Sequence, residues 1–77
     1  MPTIILIYGL RFYFYSEEHL PIHIHVRNGD GRAKIYVESL EVADNSGIKP
    51  HDLKVAIHLV KQYRDYIIKS WNEYFSQ

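Results

Sequence analysis

The chain has no cysteine. Disulfides, thiolate metal sites and cysteine nucleophiles are therefore excluded, and a reducing cytoplasm is permitted. There is also no excess of charge of either sign, because nine Lys and Arg balance nine Asp and Glu. The long-range pull that strongly basic proteins exert on polyanions is missing, so any nucleic-acid site must be a local patch. Long hydrophobic runs are absent as well. The apolar stretch Ile4–Tyr8 is far too short to span a bilayer and has no basic leader, so neither a signal peptide nor a membrane segment is expected. No internal repeat, linker or low-complexity tract interrupts the chain.

What is present is a globular composition, 47% hydrophobic and 14% aromatic, with seven tyrosines. Residues 1–77 read as a single domain. At this length one core rarely supplies more than about 3–5 kcal/mol, so extra stability must come from close packing, a histidine-bound metal or oligomerisation.

Ile4–Tyr8 and Arg11–Tyr15 are rich in branched and aromatic residues and flank Gly9-Leu10, which reads as a hairpin turn. Tyr8 opposite Arg11 then places Ile5, Ile7, Phe12 and Phe14 on one face. Ile4, Leu6, Tyr8, Arg11, Tyr13 and Tyr15 fall on the other. Ser16–Pro21 is polar, ends in proline and reads as a loop carrying His19. Asn28-Gly29-Asp30-Gly31 is a dense turn signal between two alternating runs. Whichever central pair turns, His23, His25 and Arg27 share a face with Arg32, Lys34 and Tyr36, while Ile22, Ile24 and Val26 share theirs with Ala33, Ile35 and Val37. A turn at Glu38-Ser39 would set Leu40 and Val42 opposite Val37 and Ile35 as a short fifth strand, and Asp44–Gly47 reads as a loop.

From Pro50 the apolar period becomes helical, through Leu53, Ala56, Ile57, Val60, Tyr63 or Arg64, Ile67, Trp71 and Phe75. Pro50 suits the first helical position and Asp52 the first turn, although Lys49 is a poor cap. One helix reaching Phe75 would be roughly 38 Å long, against about 17 Å for a five-residue strand, and should overhang the sheet. Trp71, Tyr74 and Phe75 match core spacing, and His51 and His58 read as surface residues.

The stretch with the most chemical content is Ser16–Val26, which holds three of the five histidines. On a strand, His23 and His25 put two imidazoles on one face, and His19, Glu17 or Glu18 can fold back as further ligands for zinc or another divalent ion. A second reading makes His23 and His25 the general acid and base of a metal-independent ribonuclease, with Arg27, Arg32 and Lys34 holding the phosphodiester. A third is recognition without chemistry. Tyr13, Tyr15 and Tyr36 among His19, Arg27, Arg32 and Lys34 resemble the mix that stacks and neutralises single-stranded RNA, and tyrosine and arginine also favour protein interfaces. Recognition is the reading preferred, with His23 and His25 as the catalytic candidates should there be a reaction, and with no metal or other cofactor assigned.

These residues resemble the bacterial family catalogued as domain of unknown function 4160. Its pattern is carried by Met1-Pro2-Thr3-Ile4, Phe12-Tyr13-Phe14-Tyr15-Ser16, Glu18-His19, Pro21, His23, His25, Ala33-Lys34 and Trp71. The chain departs from it at Ile22, where a second proline is expected, and at Lys49, in place of a serine-type helix cap. The resemblance implies a compact α+β protein often encoded beside another small protein, an arrangement that suggests toxin–antitoxin pairs and so favours a cognate protein or RNA as partner; it carries over no established activity.

The expected fold is α+β: an antiparallel sheet of four or five strands, built from hairpins, with one long C-terminal helix packed on one face and the His/Arg/Tyr face open. The expected partners are a cognate protein or a second copy of the chain, with RNA as a further candidate and no membrane. The uncharged run Ile4–Tyr8 would begin the sheet as an edge strand that needs covering.

Overall fold

The computed structural model describes residues 3–15, 18–29 and 31–75. Each turn signal in the first part of the chain reverses it, which produces an antiparallel five-stranded meander. The strands are β1 (Thr3–Ile7), β2 (Leu10–Tyr13), β3 (His23–Asn28), β4 (Gly31–Tyr36) and β5 (Val42–Ser46), in the order β1-β2-β3-β4-β5. Two helices follow, α1 (Pro50–Gln62) and α2 (Arg64–Phe75).

The first hairpin turns one residue earlier than the sequence suggests. Ile7 pairs with Leu10 and Leu6 with Arg11, so the two turn residues are Tyr8 and Gly9, at φ 54° and 75°. A two-residue loop of this hand needs positive φ at both positions. The displacement moves the pairing by two residues, which preserves the expected faces. It also takes Leu10 out of the turn and into the core, where it is buried.

The second hairpin has the expected faces. His23 lies opposite Tyr36, His25 opposite Lys34, and Arg27 opposite Arg32. Asn28 pairs with Gly31, and Gly29 takes φ 60° in the turn.

The fifth strand is longer and later than expected. Val42 does face Ile35, but Leu40 sits in the turn at φ 65° instead of pairing with Val37. Asp44, Asn45 and Ser46 are not loop but strand, opposite Lys34, Ala33 and Arg32. An exposed edge strand has no need of apolar residues, so its composition resembles that of a loop. The strand closes tightly against β4. A Cβ on Gly31 would stand 2.7 Å from the carbonyl carbon and oxygen of Gly47, so backbone approaches backbone there. Asn45 then secures the exit, accepting from the Ile48 N–H and donating to the Ile48 carbonyl.

One face of the sheet carries Leu10, Phe12, Phe14, Ile24, Val26, Ala33, Ile35 and Val37, and it shares a single core with Ala56, Leu59 and Val60 of α1 and Ile67 and Trp71 of α2. The C-terminal segment is two helices, not one long one. The helix is interrupted at Tyr63, at φ −104° and ψ 20°, although neither proline nor glycine is present to announce it. The Arg64 guanidinium donates to the carbonyls of Val37 and Glu38 at 3.1 and 3.2 Å, tying the start of α2 to the turn before β5. At 1.5 Å per residue each half is roughly 20 Å long, close to the length of a six-residue strand. Lys49 makes no side-chain cap, Pro50 occupies the first helical turn, and Asp52 accepts a hydrogen bond from Asn28 of β3 at 3.0 Å.

Candidate functional site

The face of the sheet away from the helices is organised in rows, because residues directly opposite in successive strands lie side by side. One row runs Leu6, Arg11, Arg27, Arg32 and Ser46 across all five strands. The next runs Tyr13, His25, Lys34 and Asp44. His23 and Tyr36 form a third.

The arginine row is exposed. Among the described residues, none of its three guanidinium groups forms an ion pair with an acid. Beside it lies a shallow cleft of about 280 Å³, lined by Tyr13, Tyr15, His25, Arg32, Lys34 and Asp44. Lys34 extends its ammonium over the Tyr36 ring, 5.6 Å from the centroid.

The histidine corner is closed, contrary to the expectation of an open face. His23 is 4% exposed, with its ring 5.2 Å from that of Trp71. The loop after β2 returns Glu18 over both imidazoles. Glu18 Oε1 lies 2.9 Å from His23 Nε2, Oε2 lies 3.0 Å from His25 Nε2, and Oε2 also accepts the Tyr15 N–H at 3.2 Å. On its other side, His23 Nδ1 is 2.9 Å from the Pro21 carbonyl. A carbonyl can only accept, so Nδ1 carries a proton, and the contact from Nε2 to the carboxylate needs a further one.

His25 is held between Tyr13, stacked at 5.6 Å, and Tyr15, edge-on at 4.4 Å. Its pKa is pushed down, first by burial and then by the neighbouring His23 and Lys34, while Glu18 acts in the opposite direction. The neutral ring donates Nε2–H to Glu18. Tyr13 is buried too, and burial with the adjacent Tyr15 hydroxyl raises its pKa to about 12, against the opposing pull of Arg27 and Arg32.

Of the residues picked out from the sequence, the structure gathers Tyr13, Tyr15, His25, Arg32 and Lys34 around the cleft. Arg27 stands in the adjoining row and Tyr36 beside His23. His19 is exposed and belongs to neither group. Glu17 lies outside the described residues.

A family model described as Domain of unknown function (DUF4160) matches residues 9–72. The chain belongs to this family. The DUF4160 match covers every residue of the rows and of the histidine corner from β2 onward, and it bears out the resemblance seen in the sequence. No curated protein and no solved structure matches the chain significantly.

Arg11 and Asp44 were not recognised in the sequence as members of the site. Arg11 was placed on the same face as Tyr13, but no tight turn fixes the register between the first and second hairpins, so its alignment with Arg27 had no local signal. Asp44 was hidden by its loop-like neighbours. Glu18 was a candidate ligand. Its simultaneous contact with both histidines depends on how the loop folds back.

Proposed function

We propose that this is a small toxin–antitoxin-type protein that binds single-stranded RNA on the row Arg11, Arg27 and Arg32 and in the adjoining cleft. The observation that carries the reading is the row itself. Like charges directly opposite on neighbouring strands destabilise a sheet, and here two such juxtapositions follow one another, Arg11 with Arg27 and Arg27 with Arg32. A phosphate backbone laid across them relieves the repulsion, and arginine is the side chain suited to grip phosphate in two places. Tyr15 and His25 in the cleft, and Tyr36 in the row beyond it, supply ring surfaces for unpaired bases. With zero formal net charge in the chain, such binding would be local and steeply dependent on salt.

The reading is tested by fluorescence anisotropy with labelled single-stranded RNA at several salt concentrations. The slope of log affinity against log salt should fall by about 0.7 for each arginine removed that contacts a phosphate. Absence of binding at low salt, or equal binding by Arg27→Ala and Arg32→Ala, would remove it.

A cognate protein or a second copy of the chain is favoured by a different observation. The edge strand β1 leaves Leu6 65% exposed, with Tyr8 79% exposed in the turn beyond it, and an uncharged edge of this kind invites a further strand. The ribonuclease reading is less well supported, because both ring nitrogens of His23 are engaged within the protein. No helix among the described residues is long and apolar enough to cross a membrane.

A further inference from the structure

We propose that Glu18, His23 and His25 form a mononuclear site for zinc or a similar late first-row divalent ion, with water in the remaining position. The inference does not depend on RNA binding.

The donor atoms of these three residues all lie within 4.8 Å of one another. The two nitrogen-to-oxygen separations, 2.9 and 3.0 Å, compare with roughly 3.3 Å between neighbouring ligands of a tetrahedral zinc at ordinary bond lengths. A few tenths of an ångström of spreading on those two edges, together with closure of the histidine pair, admits an ion between them. In chemical terms, the ion replaces the proton shared by His23 Nε2 and Glu18, which leaves to solvent, and the neutral His25 ring moves its proton from Nε2 to Nδ1 so that Nε2 can face the ion.

The surroundings are those of a ligand set rather than of a simple ion pair. His23 is held by Nδ1–H donation to the Pro21 carbonyl, the outer contact that fixes tautomer and ring plane in metal-binding histidines and leaves Nε2 directed at the ion. Glu18 is held by the Tyr15 N–H, and His25 by the Tyr13 and Tyr15 rings. The Glu18, His23 and His25 side chains are 7%, 5% and 15% exposed, so each is fixed by packing before any ion arrives. Two imidazoles and one carboxylate are a donor set that suits zinc, and they discriminate against magnesium and calcium, which take oxygen ligands. The least buried member, His25, lines the cleft, so the open position is reached from there.

The test is titration of the full chain with zinc chloride, with magnesium chloride as control, followed by calorimetry and thermal melting. One zinc per chain should bind, with a melting temperature raised by about 10 °C or more at a hundredfold excess over Kd. Magnesium should leave the melt unchanged. His25→Ala and Glu18→Gln should each weaken zinc by about tenfold or more, while His19→Ala, His51→Ala and His58→Ala bind as wild type. If either ligand variant is poorly folded, cobalt substitution of the wild type reads the site directly, through the visible absorption of a tetrahedral nitrogen and oxygen environment. Failure of zinc to bind stoichiometrically, unaltered binding in folded His25→Ala or Glu18→Gln, a featureless cobalt spectrum, or loss of binding in His51→Ala or His58→Ala would overturn the assignment.

Discussion

Arg27 and Arg32 stand directly opposite each other across β3 and β4, both exposed, with Arg11 flanking Arg27 on its other side. Stability and binding therefore pull in opposite directions at this row. Arg27→Glu should stabilise the fold by up to about 1 kcal/mol, by turning two repulsive cross-strand pairs into attractive ones, and should abolish RNA binding. Thermal melting and anisotropy on the same variant check this, and a melting temperature that falls while binding persists would contradict it.

His23 and His19 should behave oppositely on truncation. His23→Ala removes a buried ring that satisfies both the Pro21 carbonyl and Glu18, and leaving such groups unpaired costs about 1–3 kcal/mol, or a melting temperature lower by on the order of 10 °C. His19→Ala, on an exposed loop residue, should melt as wild type. Equal melts for the two variants would mean that the closed histidine corner contributes nothing to the fold.

The glycines can be ranked in the same way. Gly31→Ala drives a Cβ into the Gly47 backbone and should be destabilising by more than about 2 kcal/mol. Gly29→Ala has open space around it and only a positive φ to sustain, at about 1–2 kcal/mol. Urea denaturation of both variants gives the order, and a milder effect at Gly31 would show that β4 and β5 separate readily.

Tyr13 should be recognisable in an alkaline spectrophotometric titration. Its pKa is raised from the usual 10 to about 12, so the neutral hydroxyl is the form the fold favours. The associated stability is complete below pH 10 and is lost as pH rises from there through about 12. Tyr13→Phe should remove the latest tyrosine transition and flatten the fall in stability over that window.

The β1 edge makes a prediction about assembly. If Leu6 and Tyr8 are covered by another molecule, sedimentation should show a dimer or a co-purifying protein, and Leu6→Lys should dissociate it while the chain remains folded. A stable monomer at high micromolar concentration, unchanged by Leu6→Lys, would leave the edge without a partner.

The strands and their faces were legible wherever a tight turn carried a register. Asn28 to Gly31 determined which residues of β3 and β4 share a face, and Gly9 located the first hairpin to within one residue. The remaining features depend on contacts between residues far apart in the chain. The interruption at Tyr63 is tied to Arg64 reaching the carbonyls of Val37 and Glu38, and no local pattern encodes that. β5 was partly missed because an edge strand can be polar. In the site, alternation identified His23, His25, Arg27, Arg32 and Lys34 as neighbours, but it gave no sign that Glu18 would close over the two histidines and bury one of them.

The strand order, with each strand beside its neighbour in sequence, bears on how the chain is synthesised. Hairpins of this kind need only short loops to close, so the sheet can form as soon as its strands leave the ribosome. The helices that cover its apolar face come afterwards, and at ordinary translation speeds they lag by about 1–5 s. During that interval Phe12, Phe14, Ile24 and Ile35 have no helical cover. The nascent meander should therefore be a chaperone client, and variants that weaken α1 or α2 should reveal themselves first as loss of soluble yield.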